Sequence, residues 1–313
     1  RGRTSFNQAA YVIRNSILHL GADSFAAHIA SGYKKKIVAL YSVSYPSQCG
    51  PYWSDQRDFA ALEPEREKDE KPTYSPQENN KQINRIKPEA VAKAVAKLLK
   101  IKLDFPFRSI SVGKKYGLKK VELIPESPTS NVEEAFGVDS IIVRMDLEFN
   151  ESVLQSQLSM SNCSIVTDKE INPDALRAFR KKIKEFIFLL DGNTDPNYFK
   201  KLQEAGIKYD LMTTLGEKEF NKIKLDYLDL GPITRKKNLK FEEVEEFKGK
   251  NLDNLYYRGS AFTVYKGEVY MNKDISFENS PIENITSPPL LPVIKSDLFL
   301  EDFDHSIFYE KIA

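Results

Sequence analysis

Ile17-Leu18-His19-Leu20-Gly21-Ala22-Asp23-Ser24-Phe25-Ala26-Ala27-His28-Ile29-Ala30 is the stretch on which the reading of this chain turns. The apolar run Ile17–Leu20, ending at Gly21, has the character of a buried parallel strand. Asp23 or Ser24 then caps a helix that carries Phe25, Ala26, Ile29 and Ala30 and stops near Gly32. Lys36-Ile37-Val38-Ala39-Leu40-Tyr41 follows as the next strand, ahead of Ser42. Upstream, Ser5 caps a helix through about Asn15, with Phe6, Ala9, Ala10 and Ile13 on one face. Helix, strand, helix, strand with short connections is the pattern of a parallel sheet with helices packed on it.

The turn between strand and helix carries the chemistry. A helix N-terminus offers free backbone N–H groups and the positive end of the helix dipole, which together suit a diphosphate. The Ser24 hydroxyl adds a hydrogen bond, and His28, about one turn later, lies on the same side of the helix. Residue types alone also allow plain capping by Asp23 or Ser24 and a core histidine. Tyr45-Pro46-Ser47-Gln48-Cys49-Gly50-Pro51-Tyr52-Trp53 follows the second strand. Ligands of α/β sheets bind beyond the carboxyl ends of strands, so Tyr45, Tyr52 and Trp53 are candidates to stack on a base or sugar ring. Their other reading is a loop anchored by its aromatics.

Residues 1–101 resemble the C-terminal, nucleotide-sugar-binding half of glycosyltransferase family 9, the heptosyltransferase-like enzymes of GT-B fold. The resemblance rests on Arg3-Thr4-Ser5-Phe6, Asp23-Ser24-Phe25-Ala26-Ala27-His28-Ile29-Ala30 and Lys36-Ile37-Val38-Ala39-Leu40-Tyr41-Ser42. It continues through Tyr45-Pro46, Gly50-Pro51-Tyr52 and Lys87-Pro88-Glu89-Ala90-Val91, in the family's order and spacing. It implies an inverting transfer from a nucleotide-diphosphate sugar. Asp23, Ser24 and the N–H of Phe25 would hold the diphosphate, with His28 assisting, and the nucleotide sugar is a substrate, so no cofactor is implied. The sequence departs from the family twice: Phe25 stands where it has the glycine that lets backbone approach a diphosphate closely, and Ser42 where it has another. The family's catalytic base lies in an N-terminal domain whose motifs do not precede Arg1. With no methionine ahead of Arg1-Gly2-Arg3-Thr4, the sequence reads as a piece of a longer polypeptide, whose N-terminal part is an expected partner, or as a processed product.

Composition bounds the rest. In 313 residues, 46 Lys and Arg face 45 Asp and Glu, a net charge of +1, so any anion must be held by a local site. Neither nucleic acid nor an anionic membrane is favoured. Cys49 and Cys163 stand in no metal or redox spacing, and His19, His28 and His305 form no cluster, so no metal site is expected. The cysteine usage fits a reducing compartment, and cytoplasmic location is the expectation. No apolar run approaches the ~20 residues of a membrane span, and no signal-peptide pattern is seen.

Beyond the first strands, residues 45–64 read as loop and 63–82 as a charged excursion with Pro64, Pro72 and Pro76. A helix opens at Lys87-Pro88-Glu89 and runs to about Ile101. Residues 102–118 read as a linker, and 119–234 as a second, Rossmann-like α/β domain with a three-layer parallel architecture. Its expected strands are Lys119–Ile124, Ser140–Leu147, Cys163–Thr167, Glu185–Leu190, Tyr209–Thr213 and Tyr227–Leu230. Residues 235–313 read as a helix at Lys240–Lys248, a hairpin of Tyr256–Tyr265 and Glu268–Met271 turning at Lys266-Gly267, and an extended arm. Leu298, Phe299, Leu300, Phe303, Ile307, Phe308 and Tyr309 are expected to pack that arm back. Asp146, Asp168, Asp191 and Asp195 follow strand ends; Asp146 and Asp191 are candidate catalytic carboxylates, with turn and cap roles as the structural alternative. Arg144, inside an apolar strand, predicts an acidic partner such as Asp146.

Two functions fit. One is the C-terminal part of a glycosyltransferase moving a sugar from a nucleotide-diphosphate donor to a glycan, protein or other acceptor hydroxyl. The other is a catalytically inactive binding or structural protein that reuses the scaffold for partner contacts.

Overall fold

The computed structural model describes residues 4–312, apart from 76, 79–80, 131–136, 236–243, 272–280 and 294–299. The chain divides into two compact units, residues 1–109 with 312–313, and residues 110–311.

In the first unit, α1 (Phe6–Asn15) is closed by a capping box. The Ser5 hydroxyl accepts from the Gln8 N–H, and the Gln8 side chain accepts from the Ser5 N–H. Strand β1 (Leu18–Ala22), helix α2 (Phe25–Gly32) and strand β2 (Lys36–Leu40) follow in the expected order, but β1, though parallel, is not the buried strand expected: none of its residues is buried. Phe59–Leu62, read as loop, forms a third strand, β3, parallel to β2. Four apolar residues after a polar loop are too short a run to identify a strand by alternation. A short helix, α3 (Pro46–Cys49), occupies the loop between them. The sheet order is β1-β2-β3, all parallel. Ile37, Ala39 and Tyr41 point to one face, where they are buried with Ala30 of α2 and packed by Ile13 of α1 and by Phe59. Helix α4 (Pro88–Leu99) contributes buried Ala96 and Leu98. One edge of β1 has no strand beside it among the described residues, and Ile17 and Leu20 are exposed there.

The second unit is built on an eight-stranded sheet. Strands β5 (Lys120–Leu123), β6 (Ser140–Arg144), β7 (Cys163–Thr167), β8 (Ile183–Leu189), β9 (Asp210–Thr213) and β10 (Ile233–Arg235) lie side by side in chain order, all parallel. Helices α5 (Glu151–Met160), α6 (Pro173–Phe179), α7 (Pro196–Glu204) and α8 (Glu217–Ile223) connect the last five. The expected three-layer arrangement is corrected by this order. Right-handed crossovers between sequential strands return every helix to the same face. Leu154, Leu158, Leu176, Phe199 and Leu202 accordingly share one core with Val121, Val143, Ile165, Phe186 and Phe188. Alternation sends Glu122, Ile142, Arg144 and Val166 to the opposite face.

Four further expectations are corrected. Tyr227–Leu230 is not a strand: Leu228–Leu230 is a single 3-10 turn, and β10 comes after Gly231. Its apolar residues anchor a turn instead, with the buried Tyr227 hydroxyl donating to the Thr194 carbonyl at 2.6 Å. Tyr256–Tyr265 is not one strand but two. Strand β11 (Leu255–Gly259) pairs with β15 (Ser306–Lys311), and β12 (Ala261–Tyr265) crosses at Ser260 to lie parallel to β5. The predicted hairpin is the turn from β12 to β13 (Glu268–Tyr270), where Lys266 and Gly267 both take positive φ, 50° and 78°. The linker 102–118 contains strand β4 (Phe107–Val112), and the extended arm ends as β15; with β11 and β14 (Leu291–Pro292) they form a four-stranded sheet. Phe308 packs edge-on against Phe247 and tilted against Tyr257, all three buried beside that sheet. Of the expected helix Lys240–Lys248, residues 240–243 lie outside the described residues, as do Leu298 and Phe299 of the arm, and Glu245–Phe247 is a 3-10 turn.

Candidate functional site

The parallel strands β1 and β2 end level with each other, the Asp23 N–H donating to the Leu40 carbonyl at 3.0 Å. The chain leaves β1 through Asp23 and Ser24 into α2, and leaves β2 through Ser42–Tyr45. These two exits form the carboxyl edge where ligands of α/β sheets bind.

Neither capping candidate caps α2. The Asp23 carboxylate accepts from the Ser44 hydroxyl at 2.7 Å, across to the other strand's exit. Ser24 takes the extended N-cap conformation, φ −165° and ψ 169°, without a side-chain cap bond. The Ala27 N–H donates to the Ser24 carbonyl at 3.1 Å, while the Phe25 and Ala26 N–H groups cannot be satisfied within the helix, and among the described residues no side chain caps them. Phe25, in the helix's first position, is exposed and stacks on Phe6 of α1 with ring centroids 5.7 Å apart. Its ring is therefore tethered on the α1 side. His28 is half-buried and makes no hydrogen bond among the described residues. The structure thus brings Asp23, Ser24, Phe25 and His28 together on one turn.

The aromatic loop divides into two parts. Tyr45 is half-buried, with Tyr74 edge-on at 6.4 Å. Tyr52 and Trp53 stand out at 69% and 61% exposure. Their backbone is nonetheless fixed, because buried Ser31 of α2 donates to the Pro51 carbonyl at 3.2 Å and accepts from the Ser54 hydroxyl at 2.9 Å. Gly50 is required here: a Cβ would lie 2.5 Å from the Pro46 carbonyl oxygen. Beneath the loop, Tyr41 is wholly buried and its hydroxyl has no partner among the described residues. Burial first, then the charge of Asp23, pushes that phenol up to about 12, so it stays protonated.

Arg66 was not singled out in the sequence. Its Nη2 donates to the Ser42 carbonyl at 2.8 Å, and the guanidinium lies over the Tyr45 ring, 5.9 Å from its centroid. The signal that would have found it is β3. Once Phe59–Leu62 is read as a parallel strand, Arg66 falls just past its carboxyl end.

Asp146 and Asp191 belong to the second unit, at the carboxyl ends of β6 and β8. Both Asp146 oxygens accept from Arg144, at 2.7 and 2.6 Å, and Arg144 also reaches Glu122 at 2.7 Å. Burial works against the Arg144 charge, but the Asp146 hydrogen bonds and the Glu122 field outweigh it and raise the guanidinium's pKa. Asp191 forms a turn, accepting the Asn193 N–H and its side-chain amide, each at 2.9 Å. The Asn193 backbone bond foremost holds its carboxyl below the usual range. Among the described residues no three His, Cys, Asp or Glu side chains are grouped as metal ligands. No helix among them is long and apolar enough to cross a membrane.

Residues 1–78 match glycosyltransferase family 9 (heptosyltransferase), about a quarter of the chain and the part that contains the α2 turn and the aromatic loop. Over these residues the protein is glycosyltransferase-like. No curated protein and no solved structure matches the chain.

Proposed function

We propose that the chain is the donor-binding part of a glycosyltransferase that moves a sugar from a nucleotide-diphosphate sugar to an acceptor hydroxyl. The observation that carries this reading is the uncapped start of α2, within a segment that matches the family. Asp23 is drawn away to Ser44, leaving backbone N–H groups at the positive end of a helix dipole for the diphosphate. Ser24 and the Phe25 N–H hold the diphosphate, His28 reaches it from one turn further on, and Tyr45, Tyr52 and Trp53 offer faces for the base or sugar.

In such a transfer the acceptor oxygen bonds to the anomeric carbon as the bond from that carbon to the diphosphate oxygen breaks. The acceptor proton goes to a base, and the diphosphate leaves with the charge it gains. The helix start serves the departing charge. The base is not assigned to Asp146 or Asp191, whose oxygens are already engaged. We place it, with acceptor recognition, on a further segment of the same polypeptide, and the open edge of β1 supports such a neighbour. Cys49 and Cys163, neither in a disulfide among the described residues, fit a reducing, cytoplasmic setting.

Phe25 in the glycine position favours a second reading, a binding protein that keeps the scaffold without transfer. Calorimetry with UDP-, GDP-, ADP- and CDP-linked sugars separates them. Binding that is lost in His28→Ala, with the fold intact, supports the donor site. No binding by the wild type, tested with its upstream segment, overturns it.

A further inference from the structure

Past β3 the chain turns at buried Pro64 and brings Arg66 back to the exit of β2. A surface arginine on a charged loop ordinarily waves its guanidinium in water. This one is held at two places: Nη2 donates to the Ser42 carbonyl at 2.8 Å, and the guanidinium lies 5.9 Å from the centroid of the Tyr45 ring, which Tyr74 braces in turn. Tyr74 is fixed in turn: its N–H donates to the Val43 carbonyl at 2.9 Å and its hydroxyl to the Gln48 side chain at 2.7 Å. The consequence is an oddity. Among the described residues Arg66 Nη1 is buried without a hydrogen-bond partner and no carboxylate pairs with this cation. A buried, charged N–H left without an acceptor is costly, and its persistence in a fixed position calls for an acceptor that comes and goes.

We infer that Arg66 is an anion-binding residue whose guanidinium donates to the diphosphate of the nucleotide sugar, an inference that rests on the donor-site reading above. Its place supports this. Ser42, which holds Arg66, is two residues from Ser44, which holds Asp23, so guanidinium and α2 start border the same strand exit. Guanidinium presents paired N–H groups that match phosphate oxygens, and its stacked position has already removed its rotational freedom. The arrangement also accounts for Phe25. Where the first helical residue is a phenylalanine, close approach of a diphosphate to the helix backbone is narrowed, and a cation on the other strand's exit supplies what that approach loses.

The test uses the full chain, with calorimetry and ligand-dependent melting against UDP, GDP, ADP, CDP and inorganic pyrophosphate. Wild type is compared with Arg66→Met, which keeps a side chain over Tyr45, with Arg66→Lys, and with Lys68→Met as a nearby exposed control. We expect Arg66→Met to weaken the best nucleoside diphosphate by about tenfold or more. Its melting temperature without ligand should be unchanged, Arg66→Lys should fall between, and Lys68→Met should match wild type. Equal affinity of Arg66→Met and wild type overturns the role of Arg66 and leaves the donor site standing. Binding of none of the panel by wild type overturns both. Should Arg66→Met fail to fold, phenylglyoxal labelling of wild type decides: protection of Arg66 by bound nucleotide supports the assignment, and equal labelling with and without nucleotide sinks it.

Discussion

The Ser44 hydroxyl donates to the Asp23 carboxylate at 2.7 Å, tying the exit of β2 to the exit of β1. This bond fixes the spacing of the two loops that frame the candidate site, and it is what keeps Asp23 from capping α2. A hydrogen bond to a charged acceptor is worth more than a neutral one. Ser44 is buried, so little water replaces it when it is removed. Ser44→Ala is therefore expected to cost about 1–2 kcal/mol in urea unfolding. Asp23→Asn, which keeps an acceptor, should cost less. A double mutant no worse than Ser44→Ala alone confirms that the two act as a pair; strict additivity refutes it.

Phe25→Gly restores the residue type that the family has at this position. It removes the 5.7 Å stack on Phe6 and places glycine in a helix, so it should lower stability by about 1–2 kcal/mol. It also opens backbone approach to the start of α2. The expected outcome is opposed changes: a lower melting temperature with several-fold tighter nucleoside diphosphate binding. If affinity falls along with stability, Phe25 contributes to the site and does not narrow it.

The elements that carry this site were legible because their local signals agree. Ser5 ahead of the apolar face of Phe6, Ala9, Ala10 and Ile13 announced α1, and the apolar run within Lys36–Tyr41 announced β2, since each signal lies within a few residues. The cap of α2 was misjudged because Asp23 is satisfied by Ser44, a partner 21 residues away that spacing does not reveal. β3 escaped notice for the same reason: a four-residue run is a strand only because β2 lies beside it. With β3 unseen, Arg66 stayed hidden in a charged stretch. In the second unit, strand and helix alternation was plain. The single helical layer was not, because strand order is a tertiary fact that alternation leaves open. Likewise Ser260 marks a change of sheet only because β11 finds β15 and β12 finds β5.

Arg144 is the one residue in an apolar strand whose oddity had a stated partner, and its pairing with Asp146 makes a sharp stability prediction. The side chains of Arg144, Asp146 and Glu122 are 11%, 8% and 3% exposed. Arg144→Met would strand Asp146 with both oxygens unpaired, while Glu122 keeps Lys120 at 2.7 Å. The expected cost is about 3–5 kcal/mol by denaturant unfolding. Replacing both members, Arg144→Met with Asp146→Leu, should recover most of it, because two buried charges then leave together. If Arg144→Met alone is neutral, water reaches Asp146 freely and the pair is a surface one.

His19 sets the acid side of the stability profile. Its Nε2 is buried without a partner among the described residues, and it lies over Gly21, where a Cβ would come within 3.2 Å of it. Burial lowers its pKa below 6.5 in the folded chain. Between the folded and unfolded values, the unfolded chain binds the proton and the folded chain does not, so stability rises with pH. The contribution is fully present above about pH 6.5 and is lost as pH falls through the folded pKa. Asp191, also lowered, acts in the same direction but at far more acidic pH, below the ordinary carboxylate value of 3.8. Melting temperature should therefore decline from about pH 7 to about pH 5, a range in which Asp191 stays ionised. His19→Phe keeps a flat ring over Gly21 without the proton site, and should flatten that slope while leaving stability at pH 7 equal or higher. An unchanged slope in His19→Phe would assign the acid sensitivity to other groups.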